Sequence, residues 1–164
     1  MSSSTVVSPR DFRTFSLPYL RELVDYIRGL GRNVILHVCG KSSRLWTDLA
    51  DMGIAGMSID NVASLTECKN TIGGKTKILG NVDPGGVMYS GSPLEGRLKT
   101  LACIREGYDS PKGYVVMSGC SLPVETPLEN IQAMMDAVRD VGYPVVPEHV
   151  DDLIAACGGG AHTP

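Results

Sequence analysis

A chain of 164 residues, 43% hydrophobic and 20% charged, has the length and make-up of a single globular domain with a real core. Its net charge of −3 offers no basic face for nucleic acid, and no apolar run approaches the roughly 20 residues of a membrane span. Five irregularly spaced cysteines do not make a secreted disulfide frame, so the expected compartment is reducing and cytoplasmic, with thiols free or metal-bound.

Residues 1–7 begin short and polar, without an apolar signal core, and read as a ragged lead-in to one domain. A helix is expected over 9–30, opened by Ser8-Pro9-Arg10-Asp11: a hydroxyl cap, proline at the first helical position, and an acid near the positive end of the dipole. Its apolar stripe includes Phe12, Phe15, Leu20, Leu23, Val24 and Ile27, and Pro18 inside it kinks it or divides it in two. A strand follows over 33–39. Helices are then expected over 42–52, capped by Ser42 or Ser43 and ended by Gly53, and over 62–72, ended by Gly73-Gly74. Between and after them lie strands over 55–60 and 76–82.

The cap-and-proline punctuation returns at Ser92-Pro93-Leu94-Glu95 and at Thr126-Pro127-Leu128-Glu129, which predict helices over 92–107 and 127–141. A fourth strand fits 113–118. The last residues, 144–164, read as a tail with a short helix over 147–156. Strands alternating with helices imply βαβ units and a parallel sheet.

Each predicted strand ends in polar or glycine-rich residues: Cys39-Gly40-Lys41, Asp60-Asn61, Asn81-Val82-Asp83-Pro84 and Gly119-Cys120-Ser121. In parallel α/β architectures chemistry collects at such ends. His37 and Cys39, two apart on a strand, point to one side. With Cys120 on the same rim they make a His/Cys/Cys set, a zinc ligand set with one coordination position open. The competing reading is a satisfied core histidine and two inert small thiols. Asp60 and Asp83 are candidate acid/base or ligand-orienting groups, and Asn81 and Glu125, on the same rim, are candidate cofactor-binding residues; ordinary turn and cap chemistry is the alternative for Asp83 and Glu125. Gly73-Gly74-Lys75-Thr76 lacks the glycine spacing of a phosphate loop and precedes a strand. Cys68, Cys103 and Cys157 fall on predicted helices and read as packing, whereas His149 and His162 belong to the tail.

The stretches SPRDFRTFSLPYLRELVDYIR, VILHVCGK, LGNVDP and SGCSLPVETPLENIQAMMDAVRDVG, in that order, resemble the uroporphyrinogen decarboxylase superfamily. Within it the chain resembles the cobalamin-dependent methyltransferases of the methylcobalamin:coenzyme M type, over nearly all of 8–143. The resemblance implies zinc bound by His37, Cys39 and Cys120, an acceptor thiol held on it as thiolate, and a methyl-corrinoid co-substrate carried by a partner corrinoid protein. Decarboxylases of the superfamily have histidine where this chain has Cys120, which disfavours a porphyrinogen decarboxylase. The other function class is a zinc-stabilised half-barrel that binds or assembles without turnover.

The superfamily fold is a (β/α)₈ barrel, which takes roughly 250 residues. The four strands here correspond to the C-terminal half of one. The expected fold is therefore half of such a barrel, in a chain that is a piece, a split subunit or a truncated product. Its inner face would carry Ile35, Ile59 and Ile78, or their neighbours of opposite parity, with residues around Val116. Such a face calls for cover by a second copy or by the missing N-terminal half.

Overall fold

The computed structural model describes residues 7–158. The glycine-rich end with His162, and most of the lead-in, lie outside the described residues. Two helices, α1 (Pro9–Phe15) and α2 (Leu17–Gly29), precede β1 (Ile35–Val38). A 3₁₀ turn (Ser43–Leu45) runs into α3 (Trp46–Ala50), followed by β2 (Gly56–Ile59), α4 (Leu65–Ile72) and β3 (Lys77–Val82). A π-type segment (Pro84–Tyr89) leads to α5 (Pro93–Gly107), β4 (Tyr114–Ser118), α6 (Leu128–Val141) and α7 (Pro147–Gly158). The strands lie in the order β1-β2-β3-β4, all parallel, as half of a barrel requires.

Local chemistry accounts for most boundaries. Ser8 caps α1 by accepting the Asp11 amide, and Ser92 with Glu95 forms a reciprocal capping box at α5. The first predicted helix is two, broken at Ser16, with Pro18 in the first turn of the second. The predicted start of α4 at 62 moves to 65, because Ser64 is the cap and accepts the Glu67 amide at 3.1 Å. That Ser-x-x-Glu signal is present in the sequence. The hydroxyl cap expected at Thr126 is not formed. Helix α6 begins at Leu128, and the Thr126 hydroxyl turns back to donate to the Pro123 carbonyl at 2.7 Å. Ser42 caps nothing either; its Oγ accepts from the Trp46 indole at 3.0 Å inside the core.

Register decides which strand residues meet the helices. Leu36, Val38, Met57, Ile59, Ile78, Tyr114 and Val116 belong to the core cluster with Phe12, Leu45, Trp46 and Leu49 from the helices and their connections. The opposite face carries Ile35, His37, Ser58, Leu79 and Val115, in register His37↔Ser58, Ser58↔Leu79 and Leu79↔Val115. The expected inner-face set is therefore corrected. Ile35 lies on the face away from the helices, while Ile59, Ile78 and Val116 lie on the helix-covered side. The reason is the stagger between strands: Val38, not Ile35, pairs with Ile59. No helix among the described residues is long and apolar enough to cross a membrane.

Candidate metal centre

Strand β1 ends with His37 and Cys39 aimed to one side, and the chain then turns through Gly40 at φ 73°, a left-handed conformation suited to glycine. The Gly40 amide donates to the Asp60 carboxylate at 2.7 Å, and Asp60 also accepts the Val62 amide at 3.1 Å. One carboxylate from the end of β2 thus ties down the turn behind Cys39. Across the sheet, Gly119 extends the pairing past β4, its amide donating to the Val82 carbonyl at 2.7 Å. A Cβ at Gly119 would stand 2.4 Å from the Asn61 amide nitrogen, so only glycine lets the chain pass there and deliver Cys120 to the rim.

The three side chains meet. His37 Nε2 is 3.2 Å from Cys39 Sγ, and the two sulfurs of Cys39 and Cys120 are 3.8 Å apart. All three donor atoms lie within 4.8 Å of one another. Tetrahedral zinc with Zn–S bonds near 2.3 Å holds two thiolates about 3.8 Å apart, and sulfur and imidazole nitrogen about 3.6 Å apart. The sulfur pair already has that spacing, and the nitrogen–sulfur pair needs a small opening. The residues therefore fit a tetrahedral metal with three protein ligands. The Cys120 thiol, hydrogen-bonded to Cys39, raises the Cys39 pKa; slight desolvation of this exposed residue and the negative charge of Asp60 act in the same direction. A dication reverses that balance, since it binds the thiolate and releases the proton.

The other predicted rim residues lie on the neighbouring strand and loops. Asn81 is buried; its amide donates to the Asp60 carbonyl at 3.0 Å and the Ala63 carbonyl at 2.8 Å, stitching β3 to the loop after β2. Asp83 caps the π-type segment, accepting the Gly85 and Gly86 amides at 2.9 and 3.0 Å. Glu125 is exposed on the loop between Cys120 and α6. Cys68 and Cys103 are buried, and burial pushes Cys68 up to about 12 and raises Cys103. A half-open cavity of about 340 Å³ lies beside the centre, between Phe12, Ser16 and Leu20 on one side and His37 and Cys39 on the other.

Sequence reasoning passed over Ser58. Its Oγ lies 3.0 Å from His37 Nδ1. The signal was available: Ser58 on β2 and Asp60 just past its end stand two apart, the same spacing as His37 on β1 and Cys39 just past its end.

The sequence profile described as Uroporphyrinogen decarboxylase (URO-D) matches residues 2–141. The chain belongs to the uroporphyrinogen decarboxylase family. A methylated-thiol–coenzyme M methyltransferase of Methanosarcina mazei is 34% identical over 97% of the chain and 41% of its own length. A methylcobamide:CoM methyltransferase of Methanosarcina barkeri is 28% identical over 87% of the chain and 40% of its own length. A uroporphyrinogen decarboxylase of Aliivibrio fischeri is 31% identical over 85% of the chain and 39% of its own length. Among solved structures, a methyltransferase from Methanosarcina mazei superimposes with a TM-score of 0.69 at 26% identity, over 82% of this chain and 38% of that one. The chain thus spans about two fifths of the length of these uroporphyrinogen decarboxylase family relatives.

Proposed function

We propose that this chain carries the metal-binding part of a methyltransferase that moves a methyl group from a methyl-corrinoid to a thiol acceptor. The observation that carries the reading is the convergence of His37 Nε2, Cys39 Sγ and Cys120 Sγ within 4.8 Å at the C-terminal rim of a parallel sheet. Two of the relatives bear names that state methyl transfer to coenzyme M, and one of those names a methylcobamide. Decarboxylation of a porphyrinogen has no evident use for two thiols and an imidazole gathered at one point.

His37, Cys39 and Cys120 would hold zinc with one position open. Zinc bound there supplies a Lewis acid that keeps an acceptor thiol ionised at neutral pH. The chain's own part is to hold the ligands. His37 would offer Nε2, Cys39 and Cys120 would bind as thiolates, and Asp60 acts as a positioning group by clamping the Gly40 amide. Asn81 and Asp83 secure the neighbouring strand and loop of the same rim. Glu125, exposed on the loop after Cys120, is assigned to the outer contact with the corrinoid or its carrier protein.

The test is metal content and turnover of the purified chain. Wild type should bind about one zinc, Cys120→Ala should lose it, and Cys103→Ala should keep it. Methylcobalamin with coenzyme M then reads methyl transfer. Equal zinc loss in both variants, or none bound by wild type, would refute the site. Zinc binding without turnover would favour the alternative, a zinc-stabilised half-barrel that needs a second polypeptide. That alternative has an observation of its own: the sheet face away from the helices leaves Ile35 61% and Val115 44% exposed. We propose that a second copy or the complementary half-barrel covers it.

A further inference from the structure

His37 is held at both ends of its ring. Nε2 faces Cys39, and Nδ1 lies 3.0 Å from the hydroxyl of Ser58, its direct register partner on β2. Ser58 is only 3% exposed, so water does not compete strongly for that contact. A neutral imidazole has one N–H and one lone pair, and whichever partner takes the N–H decides which nitrogen is free to ligate.

We propose that Ser58 is a positioning residue of the metal centre: its Oγ accepts the Nδ1 proton of His37 and so presents Nε2, as a lone pair, between the two thiols. The inference rests on reading His37, Cys39 and Cys120 as a metal site. It goes beyond that reading by assigning the outer partner that sets ring orientation and tautomer. Histidine ligands usually donate their second N–H to a carboxylate, carbonyl or water, and losing that partner typically weakens metal binding by 10- to 100-fold. The nearby carboxylate of Asp60 holds the Gly40 and Val62 amides, and the group within hydrogen-bond distance of His37 Nδ1 is the Ser58 hydroxyl. A neutral hydroxyl also adds no third negative charge beside two thiolates. Strand β2 therefore supports β1 position by position: Ser58 holds the ring of His37, and Asp60, two residues on, holds the turn after Cys39.

Nitrogen-15 NMR of the metal-free chain reads the tautomer directly from the two ring-nitrogen shifts of His37. Wild type should show His37 protonated at Nδ1, and a wild-type ring protonated at Nε2 would overturn the proposal without any variant. In competitive zinc titration, Ser58→Ala should weaken binding about 10- to 100-fold, and Ser58→Thr, which keeps the hydroxyl, should restore most of it. Ser58→Ala binding zinc like wild type would also overturn it. A wild type that keeps the Nδ1–H ring yet binds no zinc would instead refute the metal reading on which the proposal rests, so the two failures are distinguishable.

Discussion

At the scale of single residues, the same burial that builds the core makes the fold sensitive to alkali. Cys68, Cys103 and Tyr114 are held neutral by desolvation, with Cys68 raised from 9.0 to about 12, Cys103 raised, and Tyr114 raised well above 10.0. Above about pH 9 the unfolded chain releases these protons while the folded chain keeps them, so the unfolded state binds fewer protons and stability falls as pH rises. Urea midpoints measured from about pH 8 to about pH 10 should decline, and Cys68→Ala should flatten the slope. An unchanged slope in that variant would mean Cys68 ionises freely in the folded state. Gly119 passes so close to Asn61 that no side chain fits there. Gly119→Ala would force a Cβ to 2.4 Å from the Asn61 backbone and displace Cys120, so zinc affinity should fall by at least about 10-fold. Gly85→Ala is the control, because its Cβ would meet nothing nearer than 3.8 Å, and it should leave zinc titration unchanged.

At the scale of elements, two hydroxyls that look alike in sequence do different work. Ser92 closes a capping box with Glu95 at the start of α5, whereas Thr126 fastens the loop after Cys120 by donating to Pro123. Ser92→Ala should cost about 1 kcal/mol of stability by exposing helix amides and should leave zinc binding alone. Thr126→Ala should cost about as much by removing the hydroxyl's bond to the Pro123 carbonyl, which then keeps only the Thr126 amide, with faster amide exchange over 121–126 and weaker zinc binding. Urea melts and hydrogen exchange on the two variants check the contrast; indistinguishable loop exchange in wild type and Thr126→Ala would refute it.

At the scale of the whole molecule, one sheet face is covered by helices and the other is not covered to the same extent among the described residues. Parallel sheets normally bury both faces. Ile35 and Val115 on the open face, with β1 and β4 at the sheet's edges, are the features of a surface that associates. Sedimentation at micromolar concentration should show a dimer or larger species, and Val115→Glu should shift it toward monomer without loss of zinc. A stable wild-type monomer would show that the face is tolerated in water.

Much of the architecture was legible in the chain itself, because its signals are local. Apolar runs bounded by glycine and polar residues marked four strands, and Ser8 and Ser92 announced helix starts through contacts three residues away. His37 and Cys39 had to share a side because a strand alternates. What needed the tertiary structure were the relations between strands. The stagger that pairs Val38 with Ile59 put Ile35 on the open face and Ile59 on the covered one, and no periodicity within a single strand carries that offset. Thr126 turned from cap to loop fastener because the Pro123 carbonyl stood within its reach. The approach of Cys120 to Cys39, 81 positions apart, and the choice of Ser58 as the neighbour of His37, depend on strand order and register. Those are set by how the βαβ units stack, a property of packed surfaces rather than of any one segment.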